Sequence, residues 1–256
     1  MTGVSEQGRR LKARPVAALA AALALAACAS TNPADPLEDS NRVMFRVNTQ
    51  LDEDFAQPVA RAYGKIPSPV RTGLRNFIYN SDTPMILVND LLQGEIEDAG
   101  VTTARFVVNT TVGLGGLIDV ATDWGLPRHT SDFGETLARW GVGEGPYIYW
   151  LVMGPSTARD SVGLVVDTIA DPLHLVEWHD DWEWVPFTRA AIRAVDLRER
   201  LLEPLADLQA TSADYYVAVR SSYLQNRRAF IRGEESAPAE DLPDLEAPAP
   251  ATKPGN

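Results

Sequence analysis

The chain has one cysteine, Cys28, in 256 residues. That excludes an internal disulfide and any metal site built from several thiolates. Histidine is almost as scarce: His129, His174 and His179 are the three in the chain. His174 and His179 flank Glu177 but stand five apart, not the four that puts two imidazoles on one helix face. They read as helix-end or surface residues, and no metal is expected. Positive charge is also short, with 23 Lys and Arg against 35 Asp and Glu, a net charge of −12. Four of those cations (Arg9, Arg10, Lys12, Arg14) precede residue 27, so the remainder is more acidic still. Charge therefore gives the chain no attraction to nucleic acid or to an anionic lipid surface. After Cys28 no apolar run approaches the roughly 20 residues of a membrane-spanning helix; the longest is near Tyr147–Met153. No serine sits in a nucleophile elbow. The glycine trios Gly113/Gly115/Gly116 and Gly141/Gly143/Gly145 lack the preceding strand and the spacing of a dinucleotide fingerprint, and no phosphate-loop Lys follows. The acids are many but scattered. Nothing here forms a catalytic constellation or asks for a cofactor.

The N-terminus, by contrast, is informative. A basic patch is followed from Val16 by a run of Ala, Leu and Val, and then by small residues, the layout of a secretory signal. The apolar core is roughly a dozen residues, too short for a bilayer about 30 Å thick, so residues 1–27 read as a removed leader. Leu25-Ala26-Ala27-Cys28 resembles the lipobox of bacterial lipoproteins, whose cysteine receives a diacylglyceryl group and becomes the acylated N-terminus. Stable anchoring needs more than one acyl chain, and a lipoprotein N-terminus carries two or three. Ala29 and Ser30 follow, with no Asp, which resembles an outer-membrane address. Residues 28–34 then form a short polar tether.

From residue 35 the periodicity is helical. Asp35 as N-cap, Pro36 and Glu38 predict a helix running to about Gln57, with Leu37, Met44, Leu51 and Phe55 on its inward face. Ser68-Pro69 and Thr83-Pro84 each predict a helix start, giving two short helices in a hairpin: the first with Val70, Leu74, Phe77 and Ile78 as its stripe, the second apolar nearly all round and stopped by Gly94. Ile96, Ala99, Thr103, Phe106, Val107 and Thr110 mark a longer helix. It enters Val112-Gly113-Leu114-Gly115-Gly116-Leu117, where three glycines cost a helix about 1 kcal/mol each but permit close backbone approach. Asp119 follows, either as the cap of the next segment or as a buried functional group. Asp132 and Glu135 predict a short helix stopped by Gly141. Gly141, Gly143, Gly145 and Pro146 then form a flexible loop. Tyr147–Met153 reads as a buried strand or as an extended loop lying in lipid. Thr157 and Asp160 cap another helix, with Val162, Val165, Val166 and Ile169 inward. Trp178, Trp182 and Trp184 stand among acids, a pattern that suits a membrane–water interface or a cover over the domain's own core. A long helix follows Pro186, a last one opens at Ser212 and stops at Gly233, and residues 233–256, rich in Pro, Ala and acid, are expected to be disordered. The fold class expected is mainly α: one helical domain over 35–232, six to eight helices, no confident sheet.

Taken together, several segments resemble one family, the MlaA (VacJ) outer-membrane lipoproteins. They are Asp35-Pro36-Leu37-Glu38 with Asn41-Arg42 and Met44-Phe45; Asn89 with Leu92-Gln93-Gly94; Arg105-Phe106, Asn109, Gly113, Gly115-Gly116, Asp119 and Ala121; Phe133-Gly134, Thr136-Leu137, Gly141-Val142-Gly143 and Gly145-Pro146-Tyr147; Arg159-Asp160; and Asp214, Tyr216, Arg220, Tyr223 and Arg227. The resemblance implies a ring-like helical protein in the inner leaflet of the outer membrane, associated with a trimeric porin. Such a protein removes phospholipid that has strayed to the outer leaflet and passes it to a periplasmic carrier, with no catalysis and no cofactor. In that picture Val112–Leu117 would line a lipid passage, and Gly141, Gly143, Gly145, Pro146 and Tyr147 would form a gate. A lipoprotein scaffolding porins without a lipid path, and a lipid-modifying enzyme, are the competing readings; the enzyme lacks a nucleophile and base.

Overall fold

The computed structural model describes residues 32, 34–172 and 184–234. The leader, Cys28, His174, Glu177, His179, Trp178, Trp182 and the tail beyond 234 lie outside the described residues.

Helix α1 (Glu38–Leu51) does not end before Pro58. It passes through a π-helical turn, Asp52–Ala56, into α2 (Gln57–Tyr63). Pro58 has no N–H to donate, and its ring crowds the carbonyl four residues back in a regular α-turn; the wider turn before it gives the ring room. The extra residue also keeps Val43, Val47, Leu51, Phe55 and Val59 in one row, all exposed. Residues four apart drift by about 40° per step in an α-helix, and the π turn takes back roughly 100° of that.

The two predicted helices around Pro84 are one: α3 (Ser68–Gln93, 26 residues). Thr83 Oγ1 donates to the Tyr79 carbonyl at 3.0 Å and Ser81 Oγ to the Ile78 carbonyl at 2.6 Å. These side-chain bonds supply local support where the proline breaks the backbone ladder. Gly94, at φ +80°, stops α3 as expected. Helix α4 (Ile96–Thr111) packs back along α3. A glycine-rich loop leads to α5 (Val120–Asp123), then α6 (Phe133–Arg139) with Asp132 as its N-cap. Helix α7 (Ala158–Ala170), capped by Thr157, packs on α6. Beyond it lie α8 (Val185–Arg200), α9 (Leu202–Thr211) and α10 (Tyr215–Ile231). The long helix expected after Pro186 is broken at Leu201, three residues before Pro204, and α10 is capped by Asp214 rather than Ser212.

Tyr147–Met153 divides into two environments. Tyr147–Trp150 (β1) pairs antiparallel with Gly154–Thr157 (β2), Tyr147 opposite Thr157 and Trp150 opposite Gly154. Tyr147 and Ile148 are buried, while Leu151, Val152 and Met153 form an exposed tip. The buried-strand reading thus holds for Tyr147–Trp150, while Gly154–Thr157 carried no strand signal and the pairing was not expected.

The buried aromatic core is small. Phe45 meets the rings of Tyr149, Tyr215 and Tyr216 edge-on at 5.2–5.4 Å, with Tyr147, Val219 and Tyr223 packed around them. Elsewhere in the described interior scattered apolar side chains such as Ile78 and Ile86 sit among many polar ones, and the largest fully buried side chains are Arg71, Arg105, Asn89, Thr102, Thr136, Thr157 and Asp35. The apolar stripes mostly point the other way. On α1, Leu37 and Phe45 are buried but Met44, Leu51 and Phe55 are exposed. On α3, Val70, Phe77, Val88, Leu91 and Leu92 are exposed and Ile78 and Ile86 buried. On α4 the inward face is Ala99, Thr102, Arg105 and Asn109, and on α7 it is Arg159, Asp160 and Gly163, with Val162, Val165 and Ile169 outside. The periodicity is helical as expected; the buried face is the polar one. Among the described residues no helix is long and apolar enough to cross a membrane.

Candidate functional site

The glycine-rich loop after α4 is folded around one carboxylate. Asp119 accepts two bonds from Arg105 Nη2, at 2.9 and 2.8 Å, and one from Asn109 Nδ2 at 2.9 Å. It also caps α5, accepting from the Thr122 N–H at 3.3 Å and the Thr122 hydroxyl at 2.7 Å. The cap reading of Asp119 holds, and the carboxylate is in addition half-buried against an arginine. Burial alone would raise its pKa; the hydroxyl of Thr122, the amide of Asn109 and the Arg105 charge outweigh that and hold it below the usual carboxylate range. Arg105 Nη1 also donates to the Leu126 carbonyl at 2.6 Å, so both arms of the loop are tied to α4.

Within the loop the residues alternate in role. Gly113 and Gly116 are buried, and their closest neighbours are the chain itself: a Cβ on Gly116 would lie 2.4 Å from the Cβ of Asn80, and one on Gly113 would lie 2.2 Å from the Ile118 carbonyl oxygen. Val112, Leu114, Leu117 and Ile118 are exposed, Leu114 by 68% and in the left-handed region at φ +55°. Gly115 lies at φ +72°, with open space where a side chain would be. The close approach that these glycines permit at 113 and 116 is thus within the protein, and the loop presents its aliphatic side chains outward.

The second glycine segment is strapped at its middle. Arg228 of α10 donates to both oxygens of Glu144, at 3.0 and 2.6 Å, and the Arg159 N–H donates to the Glu144 carbonyl at 3.2 Å. Gly141 and Gly145 have positive φ, +87° and +68°; Gly143 has open space around it. Pro146 accepts from the Ala158 N–H at 3.0 Å, which fixes where the loop enters β1 and places Tyr147 in the core.

Two further ionic clusters, each spanning long sequence distances, hold the frame. Asp35 is not the cap of α1, whose N-cap is Leu37. It is fully buried and accepts from the Tyr216 hydroxyl, from Arg220 Nη1 at 2.7 Å and from Asn41 Nδ2 at 3.0 Å. Asp160 accepts from Arg227 at 3.0 Å and Tyr223 at 3.0 Å, while Arg227 also clasps Asp132 at 2.7 Å. Burial would raise the Asp160 carboxyl; the Arg227 charge beside it keeps it lowered. His129 is half-buried against Asp90, its Nε2 within 3.1 Å of Asp90 Oδ2 and 3.2 Å of Thr102 Oγ1. Of the three tryptophans among acids, Trp184 is exposed at the start of α8. None of these clusters was visible in local spacing, since the partners stand up to 185 residues apart; Asp35, Asn41, Asp160, Tyr216, Arg220, Tyr223 and Arg227 stood out only as residues that carry the family resemblance.

Fold and site define a mainly helical protein with many buried, paired ions and many exposed aliphatic side chains among the described residues. The chain belongs to the MlaA lipoprotein family: the model of that family, described as MlaA lipoprotein, matches residues 33–230. It is similar to the Intermembrane phospholipid transport system lipoprotein MlaA of Haemophilus influenzae, with 33% identity over 243 residues, 89% of this chain and 94% of that one. To the protein of the same name from Escherichia coli K12 it is 34% identical over 227 residues, covering 85% and 88% of the two chains. An uncharacterized protein of Rickettsia felis is 36% identical over 205 residues, 79% of this chain and 80% of that one. A solved structure reported as "Structural basis for maintenance of bacterial outer membrane lipid asymmetry" superposes with a TM-score of 0.68 at 36% identity, covering 77% of this chain and 98% of that chain.

Proposed function

We propose that this protein is an outer-membrane lipoprotein, held by acyl groups on Cys28, that removes mislocalised phospholipid from the outer leaflet and passes it to a periplasmic carrier. One observation carries the reading: arginines, aspartates and asparagines fill the interior while valines, leucines and phenylalanines line the outside of α1, α3, α4 and α7. In water that arrangement exposes much of the apolar surface whose burial drives folding. In the inner leaflet the same surface is solvated by acyl chains. The names of the relatives support the transport of phospholipid, and family membership supports the lipoprotein form.

In this reading the outward aliphatic side chains Val112, Leu114 and Leu117, carried on Gly113, Gly115 and Gly116, border the lipid's route. The loop Gly141–Tyr147, strapped by Arg228 and Glu144, is its gate. A trimeric porin would hold the body at the right depth. The deciding experiment measures outer-leaflet phospholipid in cells lacking the protein, and again after restoring the wild type or Cys28→Ala. Phospholipid should accumulate outside in the deletion, clear with the wild type and persist with Cys28→Ala. Wild-type asymmetry in the deletion strain would refute the proposal. Purified protein that never carries phospholipid would point to the porin scaffold instead.

A further inference from the structure

We propose that the hairpin tip Leu151-Val152-Met153 is a lipid-contact wedge that inserts among the acyl chains of the bilayer. The inference rests on the membrane location proposed above and adds the element that penetrates deepest. Val152 is 82% exposed, the most exposed large apolar side chain among the described residues, and sits at φ +71°. A β-branched residue in the left-handed region is a true outlier, and such strain persists where the surroundings impose it and where function uses it. The surroundings here are one side chain. Asn48 of α1 donates through Nδ2 to the Trp150 carbonyl at 2.7 Å and accepts the Val152 N–H on Oδ1 at 2.7 Å. The clamp does two things. It holds the turn in the shape that thrusts three consecutive apolar side chains outward. It also satisfies, from within the protein, backbone groups on both sides of Leu151 that water would otherwise satisfy at no cost. Internal pairing of backbone groups is what a segment in hydrocarbon requires.

The surroundings of the tip agree. The tip holds no charged residue; the nearest in sequence are Glu144 and Arg159. Val47 and Leu51 of α1, both exposed, lie within about 60–100° of Asn48 around the helix, on one side of it. They extend the aliphatic surface along the row that continues to Phe55 and Val59. That row begins at Val43, fifteen residues beyond the cysteine read as the acyl anchor, and Asp35 between them is locked to Tyr216 and Arg220. A chain of seven residues reaches at most about 25 Å, so the acyl groups and this face share one stretch of membrane.

The single cysteine makes the test direct. In the mature acylated protein Cys28 is blocked, so Val152→Cys supplies the only free thiol for a nitroxide label. The labelled protein is reconstituted into phosphatidylethanolamine/phosphatidylglycerol vesicles, and its relaxation is measured with oxygen, which partitions into hydrocarbon, and with a water-soluble nickel chelate. Asp98→Cys, on the exposed first turn of α4, is the aqueous control. At 152 oxygen should be several-fold more effective than at 98 and the chelate several-fold less. Met153→Cys gives the same reading should Val152→Cys fail to fold. Equal response to the chelate at 152 (or 153) and 98 would overturn the wedge, and so would a label shielded from both reagents, which would mean the tip is docked into protein. Neither result would touch the phospholipid measurement above, so the two proposals fail separately.

Discussion

At the scale of single residues, ions in the interior are held by several partners each, and that multiplicity decides what a substitution costs. Arg105 is fully buried and reaches Asp119, Thr122 and Leu126. Removing it leaves a carboxylate without its countercharge, and breaking a buried pair from one side costs about 3–5 kcal/mol. Arg105→Met should therefore lower stability by that amount, read from denaturant unfolding in detergent, and should loosen the glycine-rich loop. Asp90 gives His129 a pH dependence. The hydrogen bond that His129 donates to Asp90 raises the histidine's pKa above its usual 6.5, against the opposing effect of burial, with Asp98 and Glu135 adding to the rise. A cationic group with a higher pKa in the fold adds stability that is complete below the unfolded value and is lost as pH climbs through the folded one. Unfolding free energy should thus fall as pH rises above 6.5, and His129→Asn should flatten that fall while lowering stability at acid pH. None of these pairs was legible in the sequence, because nothing local marks Arg105 as the partner of Asp119 or Asp35 as the partner of Tyr216. Caps were legible, because Asp132, Thr157 and Gly94 act within three or four residues of themselves.

At the scale of elements, punctuation was read well and its strength was overrated. Pro58 and Pro84 each read as a boundary, yet α3 runs through Pro84 and α1 reaches α2 by widening one turn. Proline weakens a helix by removing a bond and crowding a carbonyl; it ends one only if nothing nearby makes up the loss, and Thr83, Ser81 and the π turn do. Of the hairpin, the strand Tyr147–Trp150 was one of two readings of an apolar run, but its partner Gly154–Thr157 was hidden because a short Gly-Pro-Ser-Thr segment has neither apolar alternation nor β-branched enrichment. For the loop at Gly141–Tyr147 the backbone angles sort the glycines. Gly145, at φ +68°, has no room for proline, whose φ is fixed near −65°. Gly145→Pro should fail to fold. Gly143→Pro should fold, because open space surrounds that position, and should alter outer-leaflet phospholipid in cells by stiffening the proposed gate. A folded Gly143→Pro variant with wild-type asymmetry would remove the gate assignment.

At the scale of the whole molecule, helical period was legible and its phase was not. The stripes of Val, Leu and Phe predicted helices correctly and were assigned to a core; the structure turns most of them outward. Period follows from the geometry of the helix, whereas which face is buried depends on the solvent, and in the membrane location proposed above acyl chains would reverse the assignment that water makes. The mature protein should accordingly remain dispersed in mild detergent and aggregate as detergent is removed in the absence of lipid, as followed by size-exclusion chromatography. Stable monomers in plain buffer would contradict the exterior described here. The lock on Asp35 carries the last consequence. If Cys28 carries the acyl groups proposed above, the riveting of Asp35 to α10 leaves the leash only seven links of slack. On that proposal the body would be moored short, able to move no more than about 25 Å from its acyl groups.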